Sequence, residues 1–152
     1  MTPDPGFLPR GAAPVAAVES RALRESGGIA HAFGCRGAGP GPGAWRALDL
    51  PRPPALARQV HGNAVAEVDA AFLRRPPGDA PEADILITAL PGVPIAVFTA
   101  DCVPIVLWEP GARVVAVVHA GWRGIAADAP GAAVRALADR FGASAAACHA
   151  AI

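Results

Sequence analysis

The chain has 152 residues, thirteen basic and thirteen acidic side chains, and a formal net charge of zero at pH 7. That length suits one domain, and the neutral charge argues against a nucleic-acid or acidic-membrane partner, which would need a basic surface. No apolar stretch reaches the roughly 18 residues of a membrane-spanning helix, and the amino terminus lacks the pattern of a signal peptide. Three cysteines without a signal peptide do not suggest a disulfide framework. We therefore expect a soluble, cytoplasmic globular protein.

The first part of the chain is only weakly patterned. A modestly amphipathic stretch predicts a helix over residues 16–25, ended by Gly27-Gly28. A short strand is predicted over residues 29–33. Gly-rich and Pro-rich segments at residues 34–42 and 51–54 then predict loops.

The pattern strengthens from residue 59 onwards. Val60, Val65 and Val68 predict strand material around a turn at Gly62-Asn63, and residues 74–83 predict a loop. Four short apolar runs bounded by Gly and Pro follow, and such runs are typical of strands buried on both faces. These runs cover residues 85–88, 94–99, 103–108 and 113–119.

The end of the chain changes to a helical period. Apolar side chains recur at i, i+3 and i+7, at Val134, Leu137 and Phe141. They predict a helix over residues 130–140, ended by Gly142, with Arg135 and Asp139 as an i, i+4 ion pair. Residues 145–152 predict the beginning of another strand. The fold class is therefore α/β, with a mixed, largely buried sheet and outer helices.

Three segments place imidazole or thiol groups near the ends of predicted strands. They are Gln59-Val60-His61-Gly62, Thr99-Ala100-Asp101-Cys102-Val103-Pro104 and Val118-His119-Ala120-Gly121-Trp122-Arg123-Gly124. Two histidines and one cysteine, His61, Cys102 and His119, can bind zinc and leave a fourth position open, as catalytic zinc sites do. Their separations are too long for a local metal motif, so a core cysteine and two hydrogen-bonded histidines remain the alternative.

Neighbouring residues offer further chemistry. Asp101 is a candidate proton shuttle, with a turn-forming role as the alternative. Arg123, together with the backbone N–H groups of the Gly-X-X-Gly turn, is a candidate site for an anion such as phosphate. Arg36 is a second anion-binding candidate, although the residues alone favour an ordinary solvated arginine. Trp122 is predicted to pack in the fold rather than to stack on a substrate.

The remaining soft or imidazole side chains carry less information. Cys148 is interpreted as a core residue, and the strand pattern leaves the role of His149 open. Cys35 lies in the Gly-rich loop without an obvious partner. His31 is interpreted as a structural, hydrogen-bonded histidine.

Taken together, the three segments and the run Ala83-Asp84-Ile85-Leu86-Ile87-Thr88 closely resemble one family. It is the family of laccase-like polyphenol oxidases, also known as purine nucleoside phosphorylases or peptidoglycan-editing factors. The resemblance covers residues 59–124 without an evident gap. It implies a layered α/β fold and a catalytic zinc held by His61, Cys102 and His119. Arg36 matches an arginine motif of the family only in part, through Phe33-Gly34-Cys35-Arg36-Gly37.

The resemblance also implies an activity. Family members phosphorolyse adenosine, inosine and methylthioadenosine and deaminate adenosine, so a purine nucleoside and phosphate are the expected substrates. Phosphate would attack the anomeric carbon of the sugar, and a zinc-activated water would attack the purine in deamination. Because members of the family continue beyond the last residue of this chain, we expect residues 1–152 to form a single but incomplete domain of this kind.

Three alternatives stay open. The first is a hydrolase with Cys102 as nucleophile and His119 as base, acting in the editing of peptidoglycan precursors. The second is a copper-dependent polyphenol oxidase, which four histidines and a single methionine, Met1, make less favourable because such enzymes need several copper sites. The third is an inactive fragment with an exposed apolar edge strand.

Overall fold

The computed structural model describes residues 6–10, 17–34, 50, 52–76 and 78–152. Within these ranges the chain forms two sheets and three α-helices. The smaller sheet is antiparallel with the order β1-β2-β3, and its strands are Phe7–Arg10, Ala17–Ser20 and Phe33–Gly34. β3 is shorter than the strand predicted over residues 29–33. Most of the loop predicted over residues 34–42 lies outside the described residues.

The first helix begins later than the sequence predicted. The prediction covered residues 16–25, but the first part of that stretch is β2, and helix α1 covers Arg21–Ser26. The hydroxyl of Ser20 accepts a hydrogen bond from the backbone N–H of Leu23 at 3.4 Å, and such a cap fixes where a helix starts. Gly27, with a φ of 72°, follows the helix and ends it as predicted.

The larger sheet is mixed, as predicted. Its strands β4 to β8 within the described residues are Val65–Glu67, Ile85–Thr88, Val103–Glu109, Val114–Ala120 and His149–Ala151. Their spatial order is β4-β5-β7-β6-β8. β4 and β5 pair in parallel, and the other pairs are antiparallel. β7 therefore lies at the centre of the sheet, between β5 and β6.

The central strands are buried on both faces. Every residue of β5 is buried. Ile85 and Ile87 contribute to a core cluster on one face, which includes Leu137. Leu86 contributes to the opposite cluster, which includes Leu23 of α1 and the indole of Trp108. This two-sided burial explains why these strands are continuous apolar runs instead of alternating ones.

Two helices follow β7. Helix α2 covers Trp122–Ala126 and was not predicted, because the turn chemistry around it and Pro130 argued against a helix there. Helix α3 covers Ala129–Phe141 and confirms the helix predicted over residues 130–140. Gly142, with a φ of 68°, ends α3 as predicted.

The predicted ion pair on α3 is wrong. Arg135 pairs with Asp128 at 2.8 Å instead of with Asp139. Asp128 stands at the N-cap with a left-handed backbone (φ 57°), and its carboxylate also accepts a hydrogen bond from the N–H of Gly131 at 3.2 Å. The carboxylate that caps the helix is therefore the one that Arg135 reaches.

Two segments predicted as strands do not join the sheet. Residues 94–99 form no ladder; the N–H of Ala55 donates to the carbonyl of Pro94 at 2.8 Å, and the N–H of Ala96 donates to the carbonyl of Ala55 at 3.2 Å. This contact is an isolated parallel bridge between Ala55 and Ile95. Val60 also lies outside a strand, and β4 begins only at Val65.

The other predicted connections are mostly correct. A short 3-10 turn at Phe72–Arg74 precedes the loop predicted over residues 74–83. The final strand begins at His149, after a 3-10 turn at Ala145–Ala147, and so starts later than predicted. Among the described residues, no helix has both the length and the apolar character needed to cross a membrane.

Candidate metal centre

Three side chains of metal-binding type converge at one end of the larger sheet. His61 lies in the turn before β4, Cys102 directly precedes β6, and His119 is the second-last residue of β7. Their ligand atoms all lie within 4.8 Å of one another. The two imidazole rings meet edge to face, with centroids 4.7 Å apart. The three residues singled out from the sequence are therefore neighbours in space.

The pairing of β6 with β7 brings two of these residues together. In its register Val103 faces Ala120 and Pro104 faces His119. Cys102, one residue before the ladder begins, consequently stands beside the end of β7. The 16 residues between Cys102 and His119 thus form a hairpin that returns the chain to the same edge.

Asp84, which directly precedes β5, organises the site and was not given a role from the sequence. Its side chain is fully buried. Oδ1 lies 2.7 Å from Nδ1 of His119 and accepts the backbone N–H of His61 at 2.9 Å. Oδ2 accepts the backbone N–H groups of Val60 at 3.1 Å and Gly62 at 2.8 Å. One carboxylate therefore fixes two of the three candidate ligands. An acidic residue directly before the apolar run Ile85-Leu86-Ile87 was the signal that the sequence offered.

The hydrogen bonds decide the charge of Asp84. Burial by itself raises the pKa of this carboxyl group, but the bonds from His119 and from the N–H groups of Gly62, Val60 and His61 outweigh burial and hold the pKa below its usual value. The carboxylate is therefore ionised near neutral pH. An ionised carboxylate next to Nδ1 favours the imidazole tautomer with its proton on Nδ1, which leaves Nε2 as a lone-pair donor.

His61 has a strained backbone. Its φ is 63°, in the left-handed region that residues other than glycine rarely adopt. The three consecutive N–H groups of residues 60–62 all donate to Asp84, and these bonds compensate the strain. Strain that the surroundings hold in place is common at functional sites, which agrees with a positioned imidazole at residue 61.

Gly121 leaves room for the cluster. A Cβ atom at this position would lie 2.9 Å from Sγ of Cys102 and 3.1 Å from Cδ2 of His61. Contacts that short would force both side chains to move. The glycine after β7 is thus required by the close approach of the two candidate ligands, in addition to any role in the turn.

Cys102 is half-buried beside an exposed carboxylate. Its Sγ lies 3.8 Å from Oδ1 of Asp101. Burial, followed by the charge and hydrogen bond of Asp101, raises the pKa of the Cys102 thiol, and the nearby charge of Arg123 partly opposes this effect. The thiol is therefore protonated near neutral pH unless a cation is bound beside it, in which case a coordinating thiol loses its proton.

The donor set fits a metal ion of borderline softness. Two imidazole nitrogens and one sulfur within 4.8 Å of one another match the preference of zinc. The orientation of His119 by a buried carboxylate is the usual support of a metal-binding histidine. The space at Gly121 agrees with the same interpretation. The cluster could therefore hold a metal ion.

The other residues predicted to belong to the site lie in different environments or outside the described residues. Arg123 is exposed on α2, and its charge reaches Cys102. Trp122 is 80% exposed, so the prediction that it packs in the fold is wrong. Trp122 is the first residue of α2 and belongs to neither core cluster. Arg36 lies outside the described residues.

The residues interpreted as structural behave largely as expected. His31 accepts a hydrogen bond from the backbone N–H of Ser20 at 2.9 Å and meets the ring of Phe33 edge to face. Cys148 packs against the core cluster around β5 and α3. His149 is exposed in β8. Cys35 lies in a part of the chain that the structure does not describe.

Comparison with known proteins gives a consistent result. The model of the family described as multi-copper polyphenol oxidoreductase laccase matches residues 44–152. A purine nucleoside phosphorylase of Xylella fastidiosa is 44% identical over 90 residues, covering 59% of this chain and 35% of that protein. A purine nucleoside phosphorylase of Streptomyces coelicolor is 48% identical over 81 residues, covering 53% and 32%. An adenosine deaminase from an unknown prokaryotic organism is 50% identical over 74 residues, covering 45% and 28%. The matches thus span about a third of the length of these relatives.

Solved structures show the same fold. YlmD from Geobacillus stearothermophilus superposes with a TM-score of 0.60 at 30% identity, covering 70% of this chain and 41% of that protein. A Neisseria meningitidis protein superposes with a TM-score of 0.58 at 26% identity, covering 95% and 61%. The α/β arrangement described above is therefore shared with these proteins.

Proposed function

Since the chain belongs to the multi-copper polyphenol oxidoreductase laccase family, we propose that it provides the metal centre of a zinc-dependent purine nucleoside phosphorylase with adenosine deaminase side activity. The observation that carries this proposal is the His61, Cys102 and His119 cluster with Asp84 behind it. The names of the relatives, purine nucleoside phosphorylase and adenosine deaminase, support the substrate class. The proposed partners are a purine nucleoside and phosphate.

Zinc is proposed over copper because of the donor set. Two imidazoles and one thiolate match a zinc site with an open position. A copper-dependent polyphenol oxidase would need several copper ions, and this sequence contains four histidines and one methionine. The family description refers to copper, so the metal must be measured directly.

The residues around the cluster have distinct proposed tasks. His61, Cys102 and His119 would hold the ion, and Asp84 keeps the lone pair of His119 Nε2 available. When bound, zinc supplies Lewis acidity that polarises a substrate oxygen or acidifies a water. In phosphorolysis the bond from the anomeric carbon to the purine nitrogen breaks while a phosphate oxygen bonds to that carbon. The leaving nitrogen takes up a proton, which the attacking hydrogen phosphate releases as it bonds to carbon and which Asp101 is proposed to relay.

Positive charge is needed for the phosphate. Arg123 is exposed close enough to the cluster for its charge to act on Cys102. Guanidinium groups bind phosphate through paired, charge-assisted hydrogen bonds. Arg123 is therefore the proposed phosphate-binding residue within the described part of the chain, and Arg36 is proposed as a second one from its partial match to the family motif.

A second candidate function uses the same atoms. His119 is hydrogen-bonded to Asp84, and its ligand atom lies within 4.8 Å of that of Cys102, which resembles the acid, base and nucleophile of a cysteine hydrolase. Such a hydrolase would act in the editing of peptidoglycan precursors. The raised pKa of Cys102 counts against it, because a nucleophilic cysteine normally has a lowered pKa.

One experiment separates these functions. Purified protein is analysed for bound metal and is assayed for phosphate-dependent release of adenine from adenosine, with Cys102→Ala as the comparison. Stoichiometric zinc that is lost in Cys102→Ala, together with phosphate-dependent adenine release, is the expected result. A metal-free protein whose Cys102 is trapped by a thiol-directed acylating reagent would favour the hydrolase. Folded, zinc-loaded protein without adenine release would refute the phosphorylase proposal for this chain.

A further inference from the structure

Two of the three candidate ligands lie in irregular backbone. His119 belongs to β7 and is fixed by the central ladder of the sheet. His61 lies in a bend, and Cys102 lies in the bend that leads into β6. Asp84 ties His61 to His119. The β6 ladder fixes the residue after Cys102. The segment before Cys102, residues 94–101, is not part of that ladder and needs a separate anchor.

Gln59 supplies that anchor. Its Nε2 donates a hydrogen bond to the carbonyl of Phe98 at 2.8 Å, and its Oε1 accepts one from the N–H of Phe98 at 2.8 Å. A single side chain thus pairs with both backbone groups of one residue, as a neighbouring strand would. Gln59 precedes His61 by two residues, and Phe98 precedes Cys102 by four.

The two hydrogen bonds of Gln59 extend a backbone contact that begins at Ala55. Ala55 pairs with Pro94 and Ala96 through its own N–H and carbonyl. Five residues later, at residues 60–62, the backbone has turned towards Asp84. The backbones can then no longer pair, and the side chain of Gln59 bridges the gap to Phe98.

The chemistry of the amide explains the residue type. Only a side chain with one donor and one acceptor at the same end can satisfy both backbone groups of Phe98. Glutamate keeps the acceptor but loses the donor, leucine of similar size loses both, and asparagine is one methylene shorter. Both bonds of Gln59 are exposed to solvent, so they contribute little to global stability compared with a buried hydrogen bond.

We propose that Gln59 is a positioning residue of the metal centre. It fastens the segment before His61 to the segment before Cys102 and thereby sets the separation of these two ligands. This inference rests on the metal site of the proposed function. It assigns to the first residue of the Gln59-Val60-His61-Gly62 segment a role distinct from those of the ligands.

The test compares Gln59→Leu with a matched control, Asn63→Leu. Asn63 follows His61 by two residues, and its exposed amide donates to the carbonyl of Ala127 at 2.6 Å. It therefore fastens the same turn to the residue that follows α2, but not to the segment of Cys102. Both variants replace an amide by an apolar side chain at the same distance from His61.

The probe is Co²⁺ alone, titrated into the metal-free full chain, with chelator competition for affinity and absorption spectroscopy for geometry. Outer residues that support ligands typically change metal affinity by about 10–100-fold. We expect Gln59→Leu to lower Co²⁺ affinity at least about tenfold and to weaken the thiolate-to-cobalt charge-transfer band. We expect Asn63→Leu to change affinity less than about threefold, well below that range, and both variants to keep the far-ultraviolet circular dichroism of the wild type.

Each outcome decides the inference. Equal losses in the two variants, or a wild-type cobalt spectrum in Gln59→Leu, would overturn it while leaving the metal site intact. Absence of Co²⁺ and Zn²⁺ binding in the wild type would overturn both this inference and the proposed function. If Gln59→Leu does not fold, Gln59→Glu replaces the donor to Phe98 by a charged oxygen and keeps the acceptor, and a wild-type cobalt spectrum in that variant would overturn the inference.

Discussion

Replacement of Asp84 by asparagine is the most informative single change in this molecule. The side chains are nearly the same size, so packing is retained while the charge and one acceptor are lost. The carboxylate accepts four hydrogen bonds, two at each oxygen. An amide has one oxygen and one NH₂ group, so it cannot accept all four.

The structure indicates which bonds fail. If the amide oxygen takes the place of Oδ2, the N–H groups of Val60 and Gly62 keep their acceptor. The NH₂ group then faces the N–H of His61 and Nδ1 of His119. His119 can accept from it by moving its proton to Nε2, but the backbone N–H of His61 has no such choice. The loss includes at least one hydrogen bond to a charged acceptor, worth about 1.5–3 kcal/mol, and Nε2 of His119 is blocked by a proton.

We therefore expect Asp84→Asn to lower the free energy of unfolding by about 2–4 kcal/mol and metal affinity by about 10–100-fold. Urea unfolding of the metal-free chain measures the first quantity, and chelator competition measures the second. Asp139→Asn, an identical change at an exposed position of α3, is the matched control and should leave both unchanged. If Asp84→Asn unfolds within about 0.5 kcal/mol of the wild type, as ordinary surface changes do, and binds metal equally well, the role given to Asp84 is refuted.

Three further changes test other parts of the structure. Gly121→Ala places a methyl group 2.9 Å from the sulfur of Cys102 and should weaken metal binding in a chelator titration. In the control Gly62→Ala the new methyl group meets its neighbours only at 3.7 Å or more and should be tolerated. Equal effects of the two substitutions on metal binding would contradict this prediction. Leu137→Ala removes a fully buried side chain and should cost about 2–5 kcal/mol in urea unfolding, and a loss below about 1 kcal/mol would show a looser core than described. The hydrogen bond from Arg135 lowers the pKa of Asp128. The wild type should therefore melt at a higher temperature than Asp128→Asn, with the full difference above about pH 4. This difference should shrink as the pH falls further, because the carboxylate is then protonated. A difference that grows in acid would have the wrong sign.

The larger sheet and α3 were predictable because their signals are local and strong. β5, β6 and β7 are apolar runs bounded by turn residues, and α3 has a clear helical period with glycine after its end. The strand predicted over residues 94–99 has the same apolar character. Nothing in its composition shows that Ala55 and Gln59 occupy its hydrogen-bonding groups, because those partners are about 40 residues away in sequence.

The site was predictable in its ligand types but not in its support. His61, Cys102 and His119 were identified by their chemistry and their positions at strand ends. The burial of Asp84 beneath three consecutive N–H groups depends on how a turn and two strands meet. The exposure of Trp122 likewise depends on where α2 begins. The sequence could not show this, since an aromatic residue next to apolar sequence is more often packed than exposed.

The three hydrogen bonds from the turn at residues 60–62 to Asp84 have a consequence for sequence variation. Their donors are backbone N–H groups, which every residue except proline supplies. The side chain at Val60 can therefore change freely without moving the imidazole of His61, as long as it is not proline. The position of that imidazole is instead encoded 23 residues away, at Asp84. A substitution at Val60 can thus leave the shape of the turn unchanged, whereas a substitution at Asp84 removes the acceptor of all three N–H groups at once.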